Sequence, residues 1–134
     1  MVISNELIWL SIITLFTSFM WIPYVINRMA EMGIWPAIYN PQPDIRPKAQ
    51  WARRMMRAHD NAVENLVIFA PLVILIEITQ SHSTYSAFAV ELYFYSRLTH
   101  FLAFTFAVPV IRVPAFLCGF LSQLILALTL LNII

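Results

Sequence analysis

Glycine and cysteine are nearly missing from this chain, which has two of the first and one of the second in 134 residues. Two glycines cannot build a Gly-rich loop that cradles phosphates. The single Cys118 lies in an apolar run, where it supports neither a disulfide nor a zinc site and reads as a small buried or lipid-facing hydrophobe. Charge is scarce as well, at 11% of residues against 60% hydrophobic, and mean hydropathy is +0.75. A soluble domain of this size needs more surface charge, so the composition indicates an integral membrane protein. A net charge of +1 argues against nucleic-acid binding. His59 and His100 have no carboxylate or thiolate at ligand spacing, so no metal site is expected.

The apolar runs fall into four segments, at about residues 5–29, 50–79, 84–108 and 113–132. Each reaches the roughly 20 residues that a bilayer requires. The first run has Glu6 rather than a basic segment before it, and reads as a retained helix instead of a cleavable signal. Pro71 falls inside the second segment and is expected to kink it. Between the first two segments, residues 33–48 hold four of the eight prolines, Pro36, Pro41, Pro43 and Pro47. That density predicts one long loop with no helix. The other two connections are short, which predicts an all-α, up-down four-helix membrane bundle, a single domain over residues 1–134.

Basic residues are one-sided. Arg28, Arg46, Lys48, Arg53, Arg54 and Arg57 gather at the first connection and Arg112 at the third. The positive-inside rule then places those connections in the cytosol and both termini outside.

The most informative stretch is residues 53–65, in which Arg53, Arg54, Arg57, His59, Asp60, Asn61, Glu64 and Asn65 lead straight into an apolar run. Ionisable groups at membrane depth are costly and point to function. On a helix, Arg57, Asn61 and Glu64 fall within a stripe of roughly 60°. The third segment carries Arg97 and His100 on one face with Phe104. Counting inward, Glu64 lies 11 residues past Arg53, and Arg97 lies 11 before Val108. Both would sit about 16 Å deep. This predicts a Glu64–Arg97 ion pair, with Asn61 opposite His100; by itself such a pair is equally well a structural clamp. Arg112 stands just before Pro114 at the start of the last segment, where a fixed cation would join the positive end of a helix. That combination is a candidate anion site, against the plainer reading of an arginine snorkelling to the interface. His82 falls in an outer connection and is expected to be solvated.

The segment Arg54-Met-Met-Arg57-Ala-His59-Asp60-Asn61-Ala-Val-Glu64-Asn65 resembles the second-helix signature of the MAPEG family, the membrane-associated proteins in eicosanoid and glutathione metabolism. Arg97-Leu-Thr-His100-Phe-Leu-Ala-Phe104, followed by Arg112, is similar to that family's third-helix motif and fourth-helix arginine. The likeness extends over the whole chain. It implies a homotrimer in the membrane that binds glutathione as co-substrate between subunits near the cytosolic side. It further implies that Arg28, Arg57, His59, Asn61, Glu64, Asn65 and His100 line the glutathione site, with Arg112 as the catalytic residue that stabilises the thiolate. The second substrate would be a lipophilic small molecule, an electrophile or hydroperoxide, arriving from membrane lipid.

The chain departs from the prostaglandin- and leukotriene-forming members at Phe104 and Phe116, where they carry tyrosines, and at Asp60, where one carries a basic residue. The leading expectation is a glutathione-dependent membrane transferase or peroxidase. The alternative is a non-catalytic, lipid-binding scaffold of the same fold. A small drug exporter is a third class, but its essential acid belongs in the first span, and residues 7–26 contain none. Compact loops suit a bacterial inner membrane, with a microsomal membrane as the alternative.

Overall fold

A computed structural model of the chain describes residues 3–39 and 46–134. Pro41 and Pro43, and with them part of the long connection, lie outside the described residues. Among the described residues six helices follow one another: α1 Asn5–Phe19, α2 Ile22–Met32, α3 Ile34–Tyr39, α4 Gln50–Thr79, α5 Thr84–Thr105 and α6 Arg112–Leu130. Among the described residues there is no strand.

The first apolar segment is broken in two. Pro23 falls in the first turn of α2, where its missing N–H costs nothing, but its ring blocks continuation from α1. Met20 tightens the last turn of α1 by donating its N–H to the Thr17 carbonyl. Together α1 and α2 still form one apolar rod over Asn5–Met32. Gly33, with φ at +87°, then turns the chain into α3. The expectation that residues 33–48 exclude a helix fails over Ile34–Tyr39. Pro36 sits in the first turn of α3, a position where proline is tolerated.

The helix α4 is 30 residues long and runs through Pro71 without interruption. Its first turn has no side-chain cap of its own residues. Instead Glu31 of α2 accepts hydrogen bonds from the backbone N–H groups of Lys48 and Ala49, at 2.9 and 3.1 Å. A reciprocal capping box, Ser83 with Ser86, starts α5. This helix ends at Thr105, three residues before the expected Val108, and Ala107 takes a left-handed conformation with φ at +55°.

Among the described residues three helical segments are long and apolar enough to cross a membrane: Asn5–Met32, Gln50–Thr79 and Arg112–Leu130. The chain is a membrane protein. At 22 residues α5 is comparable in length, but it does not share their composition. The reason is its place. It packs against α1, α4 and α6, and buries Ser86, Ser96, Arg97, His100 and Thr105. The outward faces of α4 and α6 are apolar, with Val67, Ile78, Phe120 and Leu124 exposed. Such polar-inside, apolar-outside order is what a hydrocarbon surround selects.

Two apolar cores hold the helices. One joins Leu10, Ile13, Phe69, Val73, Tyr93 and Leu126, with the Phe69 and Tyr93 rings stacked at 3.6 Å between centroids. The other joins Met20, Met55, Ala58, Ala62 and Phe101. Beyond the first core lies an acidic end. There Ser86 donates to Glu6 at 2.5 Å, Ser4 donates to Glu77 at 2.6 Å, and His82 sits 3.2 Å from Glu6 and 3.5 Å from Glu77. His82 is exposed, as expected, and also meets two carboxylates. Its short connection folds back so that both ring nitrogens meet carboxylates of α1 and α4. Past the second core lies the basic end, where α2 finishes, α4 begins, α5 finishes and α6 begins.

Candidate functional site

At the basic end three clefts lie side by side and share walls. The first, about 270 Å³, is lined by Arg28, Arg46, Arg53, Met56, Arg57 and Asp60. Arg57 and Asp60 also line the second, about 300 Å³, with Asn61, Glu64, His100 and Phe104. Phe104 continues into the third, about 330 Å³, which Arg54 and Arg112 border with the turn between α5 and α6.

The helical spacing explains the second cleft. Arg57, Asn61 and Glu64 project from one face of α4, as their sequence separation requires. His100 and Phe104, one turn apart on α5, close the opposite wall. The arrangement presents a guanidinium, a carboxamide, a carboxylate and an imidazole to one space. It suits a small zwitterion with both carboxylate and ammonium groups.

Behind this wall lies Arg97, only 1% exposed. Its Nη2 donates to Asn61 Oδ1 at 2.5 Å and lies 3.5 Å from His100 Nδ1. The Phe116 ring is 5.9 Å from the guanidinium carbon. Gly119 makes the space for it, because a Cβ there would stand 3.2 Å from both Arg97 Cδ and Ser96 Oγ. Arg97 Nε and Nη1 have no hydrogen-bond partner among the described residues.

The expected Glu64–Arg97 ion pair is not formed among the described residues. Asn61 takes the place assigned to Glu64, and Glu64 stays exposed on the cleft. The cause is the early end of α5. Measured from Thr105 rather than Val108, Arg97 lies eight residues in, level with Asn61, which lies eight past Arg53. The expectation was wrong by one helical turn.

Arg112 opens α6 and is exposed, with its guanidinium carbon 5.4 Å from the centroid of the Phe104 ring. The phenyl ring of Phe104, a departure noted in the sequence, therefore carries the arginine on its face. His100 lies beside both phenyl groups, its ring 5.8 Å from Phe104 and 6.0 Å from Phe116.

The structure brings Arg57, Asn61, Glu64 and His100 together in one cleft. Arg28 borders the adjoining one, and Arg112 the third. Two expected residues are elsewhere. His59 Nδ1 is 2.8 Å from the Tyr24 hydroxyl and faces α2. Asn65 donates to the Asn61 carbonyl at 2.8 Å, while its own carbonyl accepts from Gln123 of α6 at 3.2 Å. Both act as ties between helices in this chain. Arg46, Arg53 and Asp60 stood in the basic cluster and the charged stretch but were not assigned to the site, and Gly119 was not read as the space for Arg97, although it is one of two glycines in the chain. Among the described residues no group of three or more His, Cys, Asp or Glu could hold a metal ion.

The model of the MAPEG family matches residues 7–132, nearly the whole chain and every element of the three clefts. No curated protein and no solved structure matches it.

Proposed function

We propose that this chain, which belongs to the MAPEG family, binds glutathione at its basic end and uses its thiolate to conjugate lipophilic electrophiles or to reduce lipophilic hydroperoxides. The observation that carries this reading is the convergence of Arg57, Asn61, Glu64 and His100 on one cleft, next to Arg112 at the head of α6. Arg57, with Arg28 across the adjoining cleft, offers guanidinium forks to the carboxylates of the tripeptide. Glu64 is free to take its ammonium group, since Arg97 is held by Asn61 instead.

The thiol lies toward Arg112. A free thiol has a pKa of about 8.5, so little thiolate exists at neutral pH. Lowering it by two units takes about 2.7 kcal/mol of preference for the charged form. A guanidinium at a helix N-terminus supplies a fixed positive field of that kind. The thiolate sulfur then attacks the electrophilic carbon, and a leaving group such as halide departs with the bonding pair. With a hydroperoxide, sulfur attacks the distal oxygen. The O–O bond breaks, the alkoxide takes a proton to become an alcohol, and the sulfenic acid condenses with a second glutathione to disulfide and water.

In this reading α1–α2, α4, α5 and α6 each cross the membrane once, as an up-down four-helix bundle. Three copies assemble as a homotrimer, with both termini outside and the clefts facing the cytosol, as the basic residues favour. A bacterial inner membrane suits the compact connections. His59 and Asn65 would reach glutathione only through a neighbouring copy.

Phe104 favours a second reading, a lipid-binding scaffold without chemistry. It offers Arg112 an apolar face and no hydroxyl. Turnover of an aryl halide by the detergent-solubilised protein separates the two. The enzyme reading expects glutathione conjugate at rates proportional to protein and lost with Arg57→Ala. The absence of conjugate from aryl halides together with the absence of glutathione disulfide from alkyl hydroperoxides would leave the scaffold.

A further inference from the structure

Arg97 is a cation sealed inside the bundle, and among the described residues no carboxylate pairs with it. Such a charge is costly to hold, so its place behind the second cleft calls for a reason. Two of its neighbours, Asn61 and His100, are also walls of that cleft. Its Nη2 meets both, Asn61 Oδ1 at 2.5 Å and His100 Nδ1 at 3.5 Å. Gly119 lets α6 close against the far side of the guanidinium, since a Cβ there would come within 3.7 Å of Nη1.

A guanidinium has donors and no acceptor, and this dictates what each partner can offer it. The carboxamide turns its Oδ1 to Arg97, which leaves the Nδ2 amino group for the cleft. The imidazole offers Nδ1 as a lone pair. A proton there would oppose N–H to N–H, and in the imidazolium it would set two cations 3.5 Å apart. With Nδ1 so used, the neutral ring carries its proton on Nε2. Among the described residues neither Asn61 Nδ2 nor His100 Nε2 has a hydrogen-bond partner. Both side chains line the cleft, so both donors are left for a ligand.

We infer that Arg97 is a positioning residue for the second cleft, where it makes Asn61 and His100 a fixed pair of hydrogen-bond donors for a carboxylate. Neither side chain is such a donor by nature. A carboxamide presents either edge, and a neutral imidazole carries its proton on either nitrogen. Arg97 removes both choices from behind. The pair takes an acceptor and refuses an ammonium group, and the buried charge behind it favours a carboxylate over a neutral carbonyl. The carboxylates of the same cleft are Asp60 and Glu64. A zwitterion is therefore received in one orientation, with its carboxylate on the donor pair and its ammonium on the acidic side. The donor pair stands without an assigned ligand; that glutathione is what it receives rests on the function proposed above.

The first test needs no ligand. The full chain, isotope-labelled at its histidine nitrogens, is measured by NMR in detergent micelles at neutral pH, and His100→Gln identifies the His100 signals. A protonated Nε2 and an unprotonated Nδ1 are expected. A proton on Nδ1, in either the other tautomer or the imidazolium, would overturn the inference. Arg97→Met should release the ring to a mixture of tautomers, and an unchanged pattern in that variant would show that Arg97 does not set it. Asn61→Asp then separates the two edges of the carboxamide. It gives Arg97 a carboxylate in place and takes the donor from the cleft. The thermal midpoint in the same micelles is expected at or above that of the unaltered protein, while glutathione affinity falls roughly tenfold or more. A lower midpoint, or an unchanged affinity, would overturn the inference. Failure of the unaltered protein to bind glutathione would count against the proposed function alone, because the tautomer and the midpoint still decide the donor pair.

Discussion

Arg97 of α5 donates to Asn61 of α4 at 2.5 Å, inside the protein and one helical turn from the glutamate expected to meet it. The bond ties a fully buried cation to the same residue that lines the second cleft. Packing and site are therefore coupled through one carboxamide.

That coupling has a measurable sign. Asn61→Ala removes the short acceptor from a guanidinium whose Nε and Nη1 already lack partners. A cost of about 2–3 kcal/mol is expected, as for a hydrogen bond to a charged group. Arg97→Met removes the charge together with the need for the acceptor and should cost less. In the double variant the Asn61 penalty should largely disappear. Denaturation in mixed micelles would measure all three, and simple additivity would contradict the coupling.

Gly119 gives a second, steric test. Its absent side chain is the space occupied by Arg97 Cδ and Ser96 Oγ. Gly119→Val should destabilise the protein by about 1–3 kcal/mol through overpacking. In an Arg97→Ala background the obstructing side chain is gone, and the penalty should fall by half or more. An undiminished penalty would place the clash elsewhere on α6.

The acidic end should be separable from the site. Glu6 is 4% exposed and joins Ser86 and His82. Glu6→Ala strands both partners and should cost about 1–3 kcal/mol of stability. Glutathione affinity should stay within twofold, because the basic end lies beyond both apolar cores. A tenfold loss of affinity in protein that remains folded would show that the two ends are linked.

Phe104→Tyr tests the most distinctive departure of this chain. The ring lies between His100 and Arg112, 5.8 Å from one ring centroid and 5.4 Å from the other's guanidinium carbon. A hydroxyl there adds a hydrogen-bond donor beside the proposed thiolate. One such bond is worth about 1 kcal/mol or more, which corresponds to roughly fivefold in thiolate formed at a given pH. Ultraviolet absorbance of bound thiolate would show it. An unchanged signal would mean that the sulfur lies away from the Phe104 ring.

Much of this organisation is legible in the residues. The apolar runs locate the rods, and the basic residues mark one end. The helical stripe Arg57, Asn61, Glu64 does form a cleft wall, because side-chain direction on a helix follows from spacing alone. What failed was whatever depended on where helices stop. The break before Pro23 and the short α3 come from first-turn prolines; those of residues 33–48 were read only as excluding a helix, and Pro23 was passed over within one continuous span. The end of α5 at Thr105 rests on backbone capping with a left-handed Ala107, which no residue type announces. That three-residue difference exchanged Asn61 for Glu64 as the partner of Arg97. The place of His59, and the carboxylates that the exposed His82 meets, escaped the sequence for a related reason. Their partners, Tyr24 and the pair Glu6 and Glu77, are distant in sequence and meet them only through tertiary packing.

The central claim is that Arg112 activates glutathione held in the adjoining cleft. The most direct measurement is a titration of the detergent-purified protein with glutathione at neutral pH, followed by thiolate absorbance in the ultraviolet. The account predicts a saturable thiolate signal that Arg112→Ala abolishes while glutathione still binds, and that Arg57→Ala weakens through affinity. A signal of full size in Arg112→Ala, or glutathione bound with no thiolate in the unaltered protein, would contradict it.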